Sequence, residues 1–247
     1  MAEAGLTTVR LLGSGFPAGV AVNPANIQIE LTPQGGGSTT AATATQYQAV
    51  VGTFARVAFV VPGTLAVATP TVFTASLTDT AYGISSSNSV TLTVDPAASI
   101  SLVSPGSAQQ GQSLTVSITG SYSNFLSGLN QVSAGAGISV GVPTVASGTS
   151  LSVQFTIAAN AGVGARTITV ASGSEVASLV GGFVVKQATA AVPNVVGLTQ
   201  AAAGTSLTSS GLVVGSVTTA SSATVAAGNV ISESPVGGTS VNVGVGH

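Results

Sequence analysis

The sequence predicts a mainly β protein: two β-sandwiches followed by a small α+β unit with one helix on a short sheet. Short runs of alternating apolar and polar residues recur between clusters of Gly, Pro, Asn and Ser, the pattern of sandwiches and small barrels. Near the C-terminal end, residues 192–215 leave this period of two and show helical spacing. A chain of 247 residues is long enough for two or three small domains.

The first set of predicted strands ends at Asp95-Pro96, because proline cannot donate to a strand ladder. Threonine is abundant in these strands, as expected for β-branched residues on half-exposed strands. We therefore place the first domain at residues 1–95. Its predicted strands are 7–12, 27–32, 56–61, 71–78 and 89–94.

The second set of strands ends at the linker-like segment KQATAAVP (186–193), which places a second domain at 96–187 and a third at 188–247. In SLSVQFTI (150–157) the apolar residues alternate strictly with polar, uncharged ones. Period two buries one face and leaves the other to solvent or to a neighbour. The predicted strands are 99–103, 113–119, 150–157, 166–171 and 183–186.

An internal repeat relates the first two domains. TTVRLLGSGF (7–16) is similar to LTVSITGSYSNF (114–125), since each is an alternating strand, a glycine, a small polar turn and then phenylalanine. With the Pro-Gly turn SPGSAQQGQ (104–112), this pattern resembles bacterial immunoglobulin-like modules of the IPT/TIG type. The resemblance covers both domains. It implies immunoglobulin-like sandwiches used for display, spacing or contact, with no chemistry of their own.

The third domain contains the predicted helix. Thr199 is the expected N-cap, and Gly211 is placed to end the helix in a left-handed conformation. An apolar stripe at helical spacing consists of Leu198, Ala202, Ala203 and Leu207. We expect this stripe to fill the core of the domain against a small sheet. Its predicted strands are 212–219, 229–234 and 239–245.

Residues 192–247 resemble a PASTA module. The segments VPNVVGL, Gly211-Leu212, the turn at 225–228 and SPVGGTSV fall where that family has them. PASTA modules occur on extracellular parts of bacterial penicillin-binding proteins and serine/threonine kinases. Some bind peptidoglycan fragments and many act as spacers. The resemblance supplies no short binding motif, so no ligand residues are assigned.

Both ends of the chain depart from the families they resemble. The first domain lacks the leading strand and Pro-Gly turn of the second, and the PASTA-like module lacks its usual last strand. Two explanations remain open at this point. The chain is a fragment of a longer array, or its open edges are completed by neighbouring copies, as in strand-complemented fibres.

The composition excludes several classes of partner. Only 4% of residues are charged and the net charge is −2, so charge repulsion between copies is weak and association is favoured. Four scattered Lys and Arg residues form neither a nucleic-acid footprint nor a polybasic membrane patch. The apolar stretch 57–77 contains Pro-Gly and a further proline, so it indicates two strands and a turn, with no membrane span. The N-terminal residues show no signal peptide.

No catalytic, cofactor-binding or metal-binding residue is predicted, and no cofactor. The chain has no cysteine, and its one histidine is His247, so no Ser-His-Asp or Cys-His set can form. The carboxylates are isolated in sequence, and each is expected at the surface or in a turn. One low-ranking alternative concerns Lys186, the single lysine, which could join an asparagine in an isopeptide bond assisted by Glu175.

The sequence therefore predicts a non-enzymatic structural array of a bacterial cell-surface protein or extracellular fibre, self-assembling through strand edges and uncharged faces. Its expected location is extracellular or on the cell surface. The alternative is a peptidoglycan or cell-wall binding protein that acts through the PASTA-like module. Expected partners are further copies or neighbouring modules, with peptidoglycan in the alternative. Polymer versus tethered array, glycosylation and the module's ligand stay open.

Overall fold

The computed structural model describes residues 2–16 and 21–243, and the fold is mainly β, as predicted. Two β-sandwiches are followed by a small α+β region with one helix and a short sheet. Beyond strands and this helix, the regular structure of the described residues comprises two 3₁₀ turns at Pro24–Asn26 and Gly63–Leu65.

The first sandwich contains eight strands in the order β1-β8-β6-β3-β4-β5-β2, with β7 beside β6. They are β1 (Ala2–Glu3), β2 (Thr8–Gly13), β3 (Ile27–Pro33), β4 (Thr40–Val51), β5 (Phe54–Val60), β6 (Thr71–Asp79), β7 (Ile84–Ser85) and β8 (Val90–Asp95). The long strand β4 belongs to both layers, because residues 40–43 pair with β3 and residues 44–51 pair with β5. A register shift between Ala44 and Gln46 accompanies this change of layer.

The second sandwich consists of a sheet β13-β15-β11-β9, with β14 beside β15, and a facing sheet β10-β17-β16-β12. The strands are β9 (Ser99–Ser104), β10 (Ser107–Gln109), β11 (Ser113–Ser121), β12 (Asn130–Ser133), β13 (Ile138–Val140), β14 (Thr144–Ser147), β15 (Ser150–Ile157), β16 (Gly164–Ser172) and β17 (Glu175–Lys186). The predicted inward face of β15 is confirmed, with Leu151, Val153, Phe155 and Ile157 all buried. Phe155 meets Phe183 edge to face across the core at 5.4 Å.

The internal repeat has a structural counterpart. The repeated strand is β2 in the first sandwich and β11 in the second. Strand β2 pairs antiparallel with β5, and β11 pairs antiparallel with β15. The phenylalanine after each strand is buried, and its amide donates to a carbonyl just before the partner strand. Phe16 N donates to Thr53 O at 3.2 Å, and Phe125 N donates to Gly148 O at 2.8 Å.

The predicted strands of both sandwiches are confirmed within two residues at their ends, except for the last one. Strand β17 begins at Glu175, eight residues before the predicted start at 183. The sequence did not predict β4. Its buried residues on the first half are Ala42 and Ala44, which alternate with threonine, so the contrast between its two faces is small. Several short strands were also missed, since three- or four-residue strands such as β10 and β12 give too short a pattern.

The C-terminal region is formed by β18 (Thr189–Ala191), α1 (Gln200–Ser209) and β19 (Ser240–Asn242), and β18 pairs antiparallel with β19. The predicted caps of the helix are confirmed. Thr199 Oγ1 accepts from Ala202 N at 3.3 Å, and Gly211 has φ +77°.

Three details of the predicted C-terminal domain are wrong. Segments 212–219 and 229–234 form no strand, because the described residues offer them no ladder partner beyond an isolated bridge between Thr199 and Asn229. The helix also buries less than the stripe predicts: Ala203 is buried, whereas Leu198 is 39% exposed and Ala202 is exposed. The third predicted strand is confirmed at Ser240–Asn242, and residues 244–245 lie outside the described residues.

Candidate functional site

The C-terminal region is organised by the carboxylate of Glu233. Its Oε2 accepts from Val195 N at 3.1 Å and its Oε1 accepts from Gly237 N at 2.9 Å. One side chain thus joins the VPNV segment to the SPVGG turn. Gly237 lies so close to Asn194 that an added Cβ would stand 2.9 Å from its Cα, so the turn requires glycine for close approach. These contacts fix the surface around residues 192–198.

Backbone hydrogen bonds hold the same segment from two sides. Val192 exchanges bonds with the turn, donating to Thr239 O at 2.8 Å and accepting from Gly238 N at 2.7 Å. Gly197 N donates to Val230 O at 2.9 Å, and Val230 N donates to the carbonyl of Leu198 at 2.9 Å. The extended segment is therefore a rigid element, although no regular sheet contains it.

This region buries few apolar side chains and exposes many. The buried ones are Val192, Val195, Ala203 and Leu212. The exposed large ones are Val196, Leu198, Val213, Val214, Val217, Ile231 and Val236. Exposed apolar residues concentrated in one small region indicate a contact surface, and a rigid backbone would preorganise it for a partner.

A second feature is an open groove in the first sandwich, with a volume of about 410 Å³. It lies between the two layers, with Leu11 of β2 on one side and Leu77 of β6 and Val90 of β8 on the other. The strand β2 ends its layer and has no described neighbour along its outer side. A groove between layers beside a free edge has the form that accepts an added strand.

The proposed assistance of Glu175 to Lys186 is wrong, because the structure places the two residues at opposite ends of β17. Eleven steps along a strand separate their Cα atoms by roughly 36 Å at about 3.3 Å per residue. The carboxylate of Glu175 instead accepts from Asn124 N at 2.9 and 3.1 Å. Lys186 is exposed.

Glu175 has a raised pKa. Burial is the largest cause, and the charge of Glu3 adds to it, whereas the bond from Asn124 N acts in the opposite direction. Glu3 belongs to β1 and its Oε1 accepts from Ala98 N at 3.0 Å, where the chain passes from the first sandwich to the second. Two carboxylates thus interact across the junction between the sandwiches.

Two other carboxylates are buried at strand ends, although Asp79 lies at a turn, which is one of the two expected positions. Asp79 is fully buried, with its Oδ1 accepting from Ala81 N at 2.9 Å, and Asp95 is 8% exposed at the end of β8. In each, Oδ2 is buried without a hydrogen-bond partner. Both residues end a strand, where alternation alone cannot tell an inward from an outward side chain.

The described residues contain no group of three acidic or histidine side chains placed to hold a metal ion. In the same ranges, no helix is long and apolar enough to cross a membrane. His247 lies outside the described residues.

Several solved structures are similar to the chain at low scores. The I9–I11 tandem from titin has a TM-score of 0.32 and 9% identity, over 75% of this chain and 61% of that one. FdeC, an Escherichia coli adhesin, has a TM-score of 0.28 and 16% identity, over 79% and 67%. Domains 5–6 of the S-layer protein SbsC have a TM-score of 0.26 and 13% identity, over 74% and 91%. The chain thus spans less than two thirds of the titin tandem.

No curated protein matches the chain. One family model does match, and its position coincides with the region organised by Glu233. Residues 190–245 match the model of the PASTA domain.

Proposed function

We propose that the chain is a non-enzymatic structural array of a bacterial cell-surface protein or extracellular fibre. The observation that carries the proposal is the succession of two β-sandwiches and a region matching the PASTA domain. We divide the array into domains at 1–95, 96–187 and 188–247. The two sandwich cores share no buried residue, which supports the first boundary.

Hydrogen bonds across each proposed boundary support a role as a spacer. Glu3 accepts from Ala98 N at the first boundary. At the second, Gln110 Oε1 accepts from Ala188 N at 3.2 Å, and Gln109 Nε2 donates to Thr189 Oγ1 at 3.1 Å. Bonds of this kind limit rotation between neighbouring units and favour a stiff array.

We further propose that copies associate through the groove beside β2. Val90 lines this groove and is 49% exposed, so a lysine there adds a charge to the groove without burying it in the core. Light scattering across a concentration series is expected to show association of the wild type and its loss in Val90→Lys. Val142→Lys, at a position 90% exposed, is the matched control and should associate normally. A wild type that stays monomeric at high concentration would refute association.

The second candidate function is binding to cell-wall peptidoglycan through the C-terminal region. The match at residues 190–245 favours it, together with the exposed apolar surface there. Co-sedimentation with purified sacculi tests it in the full chain. Glu233→Ala should weaken retention, because it releases the segment at 192–198, whereas Glu30→Ala on an exposed position of β3 should not. Equal retention of both variants would count against this function.

A further inference from the structure

The outer face of the β4–β5–β2 layer brings together residues that lie far apart in the sequence. Arg10 stands opposite Ala58, and Leu12 stands opposite Arg56. On the other side of β5, Gln46 pairs with Ala58, and the next outward residue of β4, Gln48, pairs with Arg56. The alternate residues of β5, which are Ala55, Val57 and Phe59, are buried in the core, so the first set faces outward.

This face is concave because a small residue sits at its centre. Ala58 is flanked by Arg10 and Gln46, whose long side chains rise beside it and leave it only 4% exposed. Together with Arg56 and Gln48 these side chains line a shallow cavity of about 440 Å³. The cavity adjoins the groove between the layers, with which it shares Leu11, Leu12 and Val57, and it contains no residue of the C-terminal region.

The cavity carries positive charge that no described group neutralises. Arg10 and Arg56 are two of the four Lys and Arg residues in the chain, and no acidic residue lines the cavity. Within residues 2–16 and 21–243, neither guanidinium makes an ion pair or a hydrogen bond to protein. Arg166 is different, because its guanidinium donates to the carbonyls of Ala136, Gly162 and Ala165 and holds a loop.

The spacing of the two arginines suits one anionic group. Diagonal neighbours on antiparallel strands lie about 7–8 Å apart at Cα, within reach of two long side chains that converge. Each guanidinium offers a planar fork of donors that matches a carboxylate or a phosphate. Gln46 and Gln48 add amides that both donate and accept, which is what hydroxyl groups require. Leu12 and Phe54 are exposed on the same face and offer apolar surface beside the charges.

We propose that this face binds an acidic saccharide unit, with Arg10 and Arg56 on its carboxylate or phosphate and Gln46 and Gln48 on its hydroxyl groups. The site takes an anionic sugar polymer of the kind that surrounds a cell. It depends on charge and amide contacts, with Leu12 and Phe54 beside the sugar ring. It is independent of the C-terminal region.

The test is titration calorimetry of the full chain with four probes: oligogalacturonate for the carboxylate, a poly(glycerol phosphate) for the phosphate, neutral galacto-oligosaccharide, and inorganic phosphate. The double variant Arg10→Gln/Arg56→Gln should lose about tenfold or more in affinity for the anionic probe that binds. Lys186→Gln, which removes an exposed cation elsewhere, should bind as the wild type does. Both arginines are exposed, and unchanged thermal unfolding of the double variant confirms that it folds.

Each result decides a part of the proposal. Binding of either polymer that is lost in the double variant supports it, and the preferred polymer identifies the source of the anion. The proposal would be overturned if the neutral probe bound as tightly as the anionic ones. It would also be overturned if the double variant and Lys186→Gln lost affinity equally, or if inorganic phosphate bound while neither polymer did. Glu233→Ala should leave this binding unchanged, which separates the site from wall binding by the C-terminal region.

Discussion

The carboxylate of Glu233 gives the sharpest prediction about the C-terminal region. Glu233→Ala removes two hydrogen bonds to backbone amides, from Val195 and from Gly237, and leaves both amides without a protein acceptor. Both segments that it joins lie within residues 190–245, which match the PASTA domain, so their separation should loosen the whole region.

The magnitude follows from the two bonds. A hydrogen bond to a charged group contributes about 1.5–3 kcal/mol, which gives an upper sum of about 3–6 kcal/mol. Glu233 is half-buried, so in the variant water can hydrogen-bond to the freed amides and recover part of the lost free energy. We expect a local destabilisation of about 2–3 kcal/mol, equivalent to a roughly 30- to 150-fold change in an opening equilibrium.

Hydrogen exchange followed by mass spectrometry measures this change directly, because local opening exposes the amides that these bonds protect. In Glu233→Ala, peptides covering 192–198 and 230–239 should exchange faster by that factor. Peptides from β15 and β17 should be unaffected. Glu30→Ala, which removes an equal charge from an exposed position, is the control. Unchanged protection of Val195 and Gly237 would refute the role given to Glu233.

Three further predictions concern the sandwiches. Burial raises the pKa of Glu175, so the folded state favours the protonated carboxyl. The contribution of this group to the free energy of unfolding is present below about pH 4.5 and is lost as pH rises through the folded pKa. Urea unfolding of Glu175→Gln across the same pH range should lack this loss of stability. Phe155→Ala should cost about 3–5 kcal/mol in guanidinium unfolding, against less than about 0.5 kcal/mol for Val142→Ala. Intact mass should equal the sequence mass, since a loss of one ammonia would mean that Lys186 is cross-linked.

Alternation made most of the sandwich strands predictable. In β15, four apolar residues occupy one face without exception, and the strand bounds are those predicted. Where the contrast between faces is small, as in the Ala/Thr strand β4, the pattern failed. The repeat around Phe16 and Phe125 was visible because a large aromatic residue follows a glycine turn in both places.

The C-terminal region was predicted less well for a different reason. Residues 212–219 alternate as a strand does, but a strand also needs a neighbour to pair with, and the described residues provide none. The two ends of the helix were predicted correctly, because each depends on residues that are close in sequence. The hydroxyl of Thr199 accepts from the nearby amide of Ala202, and Gly211 takes the left-handed conformation that ends the helix. The hydrogen bonds from Val195 N and Gly237 N to Glu233 were not predictable, because they depend on how two segments that are distant in sequence pack together.

The charged cavity formed by Arg10, Arg56, Gln46 and Gln48 could not be predicted from the sequence either. Arg10 and Arg56 looked like scattered cations, and only the register of β2 against β5 places them on one face. A pattern of alternation fixes which face a residue takes, whereas the residue opposite depends on strand pairing. Pairing is the information that a single sequence does not contain.

Association through the groove beside β2 is the central claim, and concentration-dependent hydrogen exchange tests it most directly. If a neighbouring strand fills the groove, the outward amides of Thr8–Gly13 and the amides of Val90–Asp95 should gain protection as concentration rises. Protection in Ser150–Ile157 should stay constant, because β15 already has neighbours on both sides. Assembly without added protection in Thr8–Gly13 would contradict the account.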